Sequence, residues 1–173
     1  GLTKVVNSLR VIAPELPFEI VCREITETTQ TFKFEGFDIQ CFRVNHNVVC
    51  YGYNIVVHRA GKFDPVKAES LGLEKRYWGR LQKGEIIEVD GKTYTPGLVM
   101  GGARKGLKVT YCTDSRPTES IVNNAAGADL FICEGMYGEP EKKVKAKEYK
   151  HMTFYEAADM AKRAGVGQMW LTH

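Results

Sequence analysis

The second half of the chain alternates strand-like and helix-like segments, and this alternation constrains the fold more than any other feature of the sequence. Strand patterns cover 107–112, 129–133 and 168–172, and helix patterns lie between them at 117–126 and 150–164. Strands that alternate with helices indicate βαβ units, whose parallel strands are covered by helices. We therefore predict a parallel sheet for this half of the chain.

The first half has a different pattern, in which strands dominate. The spacing predicts an amphipathic helix over 5–12 and strands over 18–25, 37–44 and 48–57. The last two strands flank Asn-His-Asn, which is typical of a turn, so we predict a hairpin with His46 at its tip. Antiparallel strands followed by α/β units predict a mixed architecture.

Composition indicates one globular unit and excludes several classes of protein. The chain has 173 residues, 43% of them hydrophobic, which is enough for one domain with a substantial core. A net charge of +3 is too small to predict nucleic-acid binding from bulk electrostatics alone. No signal peptide is visible in this sequence, and no apolar run approaches the roughly 18 residues that a membrane span needs. We therefore expect no membrane association.

The cysteines indicate a reducing compartment. Five cysteines are dispersed without a Cys-x-x-Cys pair, and most lie in strand-like apolar runs: Cys22, Cys41, Cys50, Cys112 and Cys133. This pattern predicts reduced core thiols and not a disulfide framework or a thiolate zinc site. We expect a cytoplasmic protein.

The two ends of the sequence indicate a fragment. The chain starts at Gly1 and enters a helical pattern at once, and it stops at His173 just as a buried strand emerges. Domains seldom stop at a core strand, so we expect this chain to be part of a longer protein.

An aspartate follows the strand pattern 107–112 directly, within the stretch KVTYCTDSRPTES. One interpretation is structural: Asp114 or Ser115 caps a helix that begins at Pro117. The other is functional, because side chains at the carboxyl ends of strands in α/β sheets converge where ligands bind. The local sequence leaves both interpretations open.

Three of the four histidines also fall at the ends of predicted elements: His46, His151 and His173. Imidazole and carboxylate together are natural ligands of zinc or manganese. Each histidine has an ordinary interpretation as well, since His46 can be a turn residue, His151 can lie at a helix cap and His173 can be without a role. His58 fits a solvated position. The spacing supports a metal site only weakly, because no His-x-His or His-x-x-x-His pair occurs.

Several longer stretches carry a family resemblance. The segments TYCTDSRPTESI, NAAGADLFICEGMY, EYKHMTFYEAADMAKRAGV and WLTH follow one another as in the second half of the ribonuclease Z family, and VNHNVVCYGY lies upstream in the matching place. Members of that family are metallo-β-lactamase-fold endonucleases that trim the 3′ end of precursor tRNA. The resemblance implies the carboxy-terminal part of an αββα sandwich, with residues 1–173 forming part of one domain and an inserted arm at about 58–95.

The resemblance also implies roles for individual residues. His46 is similar to the histidine that completes the coordination of one metal, Asp114 to the carboxylate that bridges two metals, and His173 to the histidine that completes the other. His151 resembles the histidine beside the scissile phosphate, which protonates the leaving group or stabilises transition-state charge. Glu134 is expected to be a partner of a histidine. The implied cofactor is zinc, two per intact site, with manganese as the alternative.

The sequence departs from the family pattern in three places. The His-x-His-x-Asp-His motif, which supplies most other ligands, is absent and is expected upstream of Gly1, so we expect this chain to be inactive alone. The arm lacks the usual Gly-Pro pair, with LEKRYWG at 73–79, and Glu-Gly-Met-Tyr at 134–137 replaces the commoner Glu-Ala-Thr. These departures indicate a subfamily or altered RNA contacts.

The predicted arm is basic and contains interleaved aromatic residues. Phe63, Tyr77 and Trp78 lie among seven basic residues that we predict to contact RNA: Arg59, Lys62, Lys67, Lys75, Arg76, Arg80 and Lys83. The alternative is a solvated charged excursion with Trp78 packed inward. A second lysine cluster, at positions 142–150, is mixed with glutamates and fits a helix with surface salt bridges equally well.

The resulting functional hypothesis is a metal-dependent endoribonuclease. It removes the 3′ trailer of precursor tRNA, leaving a tRNA 3′-hydroxyl and a 5′-phosphorylated trailer, and the resemblance implies a homodimer when intact. Two alternatives remain open. One is another metallo-β-lactamase-fold phosphodiesterase or hydrolase acting on a small ester, and the other is a non-catalytic RNA-binding fragment.

Overall fold

A mixed six-stranded sheet organises the protein. The computed structural model describes residues 1–172, in which the strands are β1 (Thr29–Phe34), β2 (Phe37–Arg43), β3 (Tyr51–Arg59), β4 (Ile87–Val89), β5 (Lys92–Tyr94), β6 (Arg104–Cys112), β7 (Leu130–Glu134) and β8 (Gln168–Thr172). The large sheet has the order β1-β2-β3-β6-β7-β8, and β4 and β5 form a separate hairpin.

The direction of the strands changes in the middle of the sheet. β1, β2, β3 and β6 pair antiparallel, whereas β6, β7 and β8 pair parallel. The parallel pairs need crossover connections, which helices supply. The predicted mixture of antiparallel strands and α/β units is confirmed, and so are the hairpin of β2 with β3 and the parallel sheet.

The helices are short and lie between the strands. They are α1 (Leu2–Leu9), α2 (Pro65–Ser70), α3 (Lys75–Gln82), α4 (Pro96–Val99), α5 (Glu119–Ala125), α6 (Lys143–Tyr149) and α7 (Phe154–Ala164). α1 continues into a 3₁₀ turn at Arg10–Ile12, so the predicted amino-terminal helix is present with a tighter last turn. No helix of the described part is long and apolar enough to cross a membrane.

The main core lies between one face of the sheet and helices α5 and α7. Phe42 and Phe131 from the strands pack with Ile121 and Met160 from the helices, and all four are at most 1% exposed. The ring of Phe42 lies over Gly52 on the neighbouring strand, where a Cβ atom would approach the ring carbon Cζ to 2.4 Å. Only glycine fits there without moving the ring. The glycine of the Tyr-Gly-Tyr sequence in β3 therefore allows Phe42 of β2 to pack over β3.

The opposite face of the sheet is apolar and open over much of its width. Ile55, Val57, Leu107, Tyr111 and Trp170 point to this face and are 36–59% exposed. The residues 1–25 cover part of it near β1–β3, where Leu2, Val21 and Ile25 line a cavity with strand residues. An open apolar sheet face of this kind normally packs against further protein.

The chain between β3 and β6 forms a small unit of its own. Its apolar side chains form a separate cluster of buried residues: Ala68, Leu73, Leu81, Ile87 and Val99. Helices α2 and α3 correspond to the two helix-like pieces seen in the sequence, whereas α4 and the β4–β5 hairpin were not predicted. We call residues 60–103 the excursion. Because β3 and β6 pair up to Arg59 and Arg104, its two ends leave the sheet side by side.

One strand prediction in the first half was wrong, and one strand was missed. The segment 18–25 is not a strand, because it pairs with no strand among residues 1–172, and Phe18 and Val21 remain exposed. Instead the unpredicted strand β1 occupies the sheet edge and pairs with β2 through the tight Glu35-Gly36 turn. Pairing decides strand identity, and apolar composition alone did not reveal it.

Candidate metal centre and catalytic site

Asp114 lies in the turn after β6, and it does not cap a helix. The cap of α5 is Thr118, whose Oγ1 accepts the Ile121 N–H at 3.3 Å. The interpretation in which Asp114 or Ser115 caps a helix beginning at Pro117 is therefore wrong, because α5 begins only at Glu119. Asp114 is half-buried at the carboxyl end of a strand.

Ser115 connects this turn to two other segments. Its backbone N–H donates to Glu134 Oε1 at 2.6 Å, which joins the turn to the end of β7. Its hydroxyl accepts the Asn45 N–H at 3.1 Å and donates to the Arg116 carbonyl at 2.7 Å. The side chain is fully buried. The turn after Asp114 is thus fixed against both β7 and the loop that carries His46.

Glu134 ends β7 and is fully buried beside His151. Its Oε2 lies 2.9 Å from His151 Nδ1, while Oε1 holds the Ser115 N–H. Burial raises the pKa of Glu134 above its ordinary value, and the Ser115 N–H and the contact with His151 act in the opposite direction. A carboxylate in this position fixes the orientation and tautomer of an imidazole.

His46 lies in the connection between β2 and β3, close to His151. Its Nδ1 is 3.2 Å from the Lys150 carbonyl, and the centroids of the two imidazole rings are 5.3 Å apart. A carbonyl oxygen only accepts, so this contact requires the proton on Nδ1 and leaves Nε2 as the nitrogen that could bind a metal ion. Lys150 ends α6 with left-handed φ and ψ of 58° and 41°, which aims its carbonyl at His46.

These residues form one cluster at the end of the sheet. Ligand atoms of Asp114, Glu134 and His151 all lie within 4.8 Å of one another. The donor types, carboxylate and imidazole, fit zinc or manganese. Both oxygens of Glu134 already hold hydrogen-bond partners, so Asp114 and His46 fit the role of ligands better than Glu134 does.

The structure therefore brings together His46, Asp114, Glu134 and His151, which the sequence had placed far apart along the chain. The ordinary interpretation placed His151 at a helix cap formed with its neighbours Lys150 and Thr153, and Thr153 is the cap of α7, which begins at Phe154. His173, the remaining predicted ligand, lies outside the described residues. His58 is exposed and contacts Asp38 at 3.0 Å on the strands.

Sequence reasoning missed an ion pair beside this cluster. Arg116 and Glu156 are each 15% exposed and pair through both guanidinium nitrogens, with distances of 3.0 and 2.5 Å. Hydrogen bonds from Arg116 and from the Thr153 backbone lower the pKa of Glu156 although burial acts to raise it. One signal was present in the sequence, because Thr153 and Glu156 have the Thr-x-x-Glu spacing of a capping box, which the structure forms.

The basic side chains of the excursion are exposed, as a nucleic-acid surface requires, but the aromatic rings turn inward. The Trp78 indole N–H donates to the Leu73 carbonyl at 2.9 Å, and its ring lies 5.2 Å from that of Phe63. Both rings and Tyr77 pack against the small apolar cluster. This arrangement favours the interpretation in which the aromatic residues cover a local core.

The lysines near α6 have few partners. Lys142 pairs with Glu139 at 3.1 Å, and Lys150 Nζ lies 3.4 Å from the His46 carbonyl. Lys143, Lys145 and Lys147 are exposed on α6. The predicted helix is present as α6, and few surface ion pairs are found at its start.

Comparison with known proteins identifies the family. A family profile described as "Beta-lactamase superfamily domain" matches residues 79–173, just over half of the chain. Ribonuclease Z of Agathobacter rectalis is 61% identical over all 173 residues, and that of Clostridium kluyveri is 48% identical over the full chain. The chain spans 57% of the length of each of these two relatives.

Solved structures show the same fold at low sequence identity. Human tRNase Z, short form, is 21% identical with a TM-score of 0.51, and the match covers 84% of this chain and 40% of that chain. The metallo-β-lactamase-fold protein YhfI of Bacillus subtilis has a TM-score of 0.51 at 22% identity, covering 86% and 41%. The predicted fold class is confirmed. The strand order and the solved structures show that this chain has part of the metallo-β-lactamase fold. Because the family profile also matches more than half of its residues, the chain belongs to the β-lactamase superfamily.

Proposed function

We propose that this chain is part of a metal-dependent endoribonuclease of the ribonuclease Z type, which removes the 3′ trailer of precursor tRNA. The products are a tRNA 3′-hydroxyl and a 5′-phosphorylated trailer. The observation that carries the proposal is the His151–Glu134 pair beside Asp114, in a chain that is similar to ribonuclease Z proteins along its whole length. That cluster combines a carboxylate suited to cations with an oriented imidazole.

Asp114 and His46 would hold metal, together with His173 and with ligands from the upstream portion implied by the resemblance. The donor set favours zinc, with two ions in the intact site, and manganese is the alternative. When bound, the ions supply charge stabilisation at the phosphate and an activated water. The Lys150 carbonyl fixes the His46 ring for this role by holding its Nδ1 proton.

His151 is proposed to serve the leaving group. Glu134 holds its Nδ1 proton, so Nε2 is the atom that exchanges a proton with the substrate oxygen. Since Glu134 is fully buried and is fixed in turn by the Ser115 N–H, the imidazole keeps one orientation. This pair is the chain's own contribution to the chemistry, beside the metal ligands.

The excursion is proposed to be the RNA-binding arm, which we placed at about 58–95. Lys62, Lys67 and Lys83 are exposed and lie on a unit with its own small core. Arg76 and Arg80 also face solvent, although each contacts a glutamate at 2.8 and 2.7 Å respectively. Surface ion pairs of this kind are weak, so phosphate groups can replace the glutamates.

The intact enzyme is proposed to be a cytoplasmic homodimer. The dimer follows from the resemblance. The five cysteines, all free, support a reducing compartment. Because the relatives are longer and the ligand set is incomplete without the upstream motif, the chain by itself is proposed to be inactive.

The test is a cleavage assay on the full-length protein, with the upstream portion that the resemblance implies. Precursor tRNA with a 3′ trailer is the substrate, mature tRNA is the control, and end analysis identifies the new 3′ and 5′ groups. We expect a single cut that leaves a tRNA 3′-hydroxyl. Hydrolysis of a small chromogenic phosphodiester without cleavage of precursor tRNA would instead support another superfamily hydrolase, and binding without any cleavage would support an RNA-binding fragment.

A further inference from the structure

Arg116 occupies an unusual position for an arginine. It follows Asp114 by two residues, and its side chain is only 15% exposed. A buried guanidinium loses hydration and is stable only where several acceptors replace the water. The groups that accept hydrogen bonds from Arg116 therefore show which parts of the chain it holds in place.

Two of these acceptors lie in the segment that carries His151. Arg116 Nη1 donates to the His151 carbonyl at 2.5 Å and to Glu156 Oε2 at 3.0 Å, and Nη2 donates to Glu156 Oε1 at 2.5 Å. One planar group thus contacts the main chain of His151 and a helix side chain at once. The contacts span 35 and 40 residues of sequence, so they join separate segments.

Glu156 connects the same network to the start of α7. Its Oε2 accepts the Thr153 N–H at 3.0 Å, and its own N–H donates to Thr153 Oγ1 at 3.3 Å. The segment 151–153 is therefore held from one side by the capping box and from the other by Arg116. Rotation of the His151 main chain would break both sets of contacts.

The backbone of Arg116 reaches the other histidine. Its N–H donates to the Asn45 carbonyl at 2.9 Å, directly before His46. One residue thus touches the turn after Asp114, the loop of His46 and the segment of His151. Among residues 1–172, no other residue contacts all three segments through its side chain and its backbone amide.

We infer that Arg116 is a positioning residue, which fixes the His151 imidazole relative to Asp114 through the His151 carbonyl and Glu156. The inference rests on the proposed function, in which His151 exchanges the proton of the leaving group. A lysine cannot replace Arg116 here, because an ammonium lacks the planar fork that reaches both acceptors. A displacement of about 1 Å at such a group lowers turnover by about 10²-fold.

The primary variant is Arg116→Lys in the full-length protein, assayed with precursor tRNA. We expect kcat to fall by about 10²-fold with little change in KM, because the displaced group acts in the transition state and not in RNA binding. The matched control is Arg163→Lys, since Arg163 also makes a two-fold contact with a glutamate, at 2.5 and 2.6 Å to Glu119, but on the surface. We expect the control to change kcat by less than about twofold.

A double-mutant cycle separates positioning from general stability. In a His151→Ala background, Arg116→Lys should change kcat by no more than about twofold, because the group that it positions is gone. An equal loss of kcat in both backgrounds would overturn the inference, as would a wild-type kcat for Arg116→Lys. If Arg116→Lys does not fold, Glu156→Gln tests the same contact with the arginine kept, and the same non-additivity is expected.

A measurement without catalysis keeps this inference distinct from the proposed function. Long-range ¹H–¹⁵N NMR of the histidine rings reports the tautomer of His151. We expect the Nδ1-protonated form in the wild type and a mixture or broadened signals in Arg116→Lys. If the wild type does not cleave RNA, the proposed function fails, whereas identical His151 ring spectra in the wild type and Arg116→Lys overturn the positioning role itself.

Discussion

Two regions of the molecule carry charged side chains with proposed functions, and the surroundings of these charges differ. In the cluster at the end of the sheet, Glu134 is fully buried and Arg116 nearly so, and each has directional partners. On the excursion, Arg76 and Glu74 pair with side chains that are 66% and 61% exposed. The first region fixes geometry, while the second presents charge on a separate small core.

The difference predicts how each region responds to substitution. Removing one partner of a buried charge pair leaves an uncompensated charge and costs about 3–5 kcal/mol, whereas an exposed pair contributes about 0–1 kcal/mol. Single changes in the cluster should therefore have large effects on the chemistry. Changes on the excursion should weaken RNA binding by small increments and leave the chemistry intact.

The largest effect is expected for Asp114→Ala in the full-length protein. If Asp114 is shared by two cations, as proposed, its removal would leave them to repel at close range, so both cleavage and metal content should be lost. Metal analysis and the precursor tRNA assay measure the two effects. The control is Asp159→Ala, because Asp159 is 64% exposed on α7. Normal turnover with unchanged metal content would remove Asp114 from the site.

His151→Ala should have the next largest effect. We expect kcat to fall by about 10² to 10⁴-fold, the usual range for a proton-transfer residue, with metal content near that of the wild type. His58→Ala is the matched control, since that imidazole is 57% exposed and contacts Asp38 on the strands. Loss of metal together with activity would show instead that His151 is a ligand or a structural residue.

Excision of the excursion should separate binding from chemistry. Deleting 60–103 and joining Arg59 to Arg104 with a short glycine linker removes the whole small cluster, and the β3–β6 pairing brings these ends together. A shorter deletion ending at Lys83 would leave Ile87 and Val99 without their partners. We expect a steep rise in KM for precursor tRNA, with hydrolysis of a small phosphodiester nearly unchanged.

A different result of this excision would contradict the RNA-binding role of the excursion. If both activities fall in parallel and the melting temperature drops, the excursion supports the fold of the main sheet and does not act as an RNA-binding arm. Thermal unfolding of the excised protein beside the intact protein provides this measurement.

The smallest effect is expected for the double substitution Lys62→Gln and Lys67→Gln. Each lost phosphate contact should reduce the slope of log K against log salt by about 0.7 to 0.9, with kcat unchanged. Lys105→Gln is the control, because Lys105 lies on β6 outside the excursion and is 77% exposed. An equal change of slope in the control would mean that the excursion has no special part in binding.

Local patterns predicted the elements with strong periodicity, and tertiary contacts decided the rest. β6, β7 and β8 follow from their apolar runs, which are typical of parallel strands even though β8 is largely exposed here. The edge strand β1, with the sequence TQTFKF, has a half-polar pattern and was missed, while the more apolar 18–25 has no partner strand in the described residues. Strand pairing involves distant residues that local composition does not reveal.

The site shows the same division. Asp114 and His46 were predicted as site residues from their places at strand ends and from a family resemblance, and the structure places both at the same end of the sheet. The contacts of Ser115 and Arg116 were not predicted, because they involve partners between 19 and 71 residues away in the sequence. Glu134 was expected as a histidine partner, and the structure places it against His151.

The left-handed conformation of Lys150 has a consequence for mutational libraries. The group that contacts the His46 ring is the Lys150 backbone carbonyl, so an alanine scan would keep it and would report only the loss of the side-chain contact from Lys150 Nζ to the His46 carbonyl. Glycine and asparagine adopt this conformation readily, whereas β-branched residues and proline do not. A deep mutational scan should therefore show at position 150 the substitution profile of an ordinary left-handed turn, while the carbonyl of that turn contacts an imidazole in a neighbouring loop.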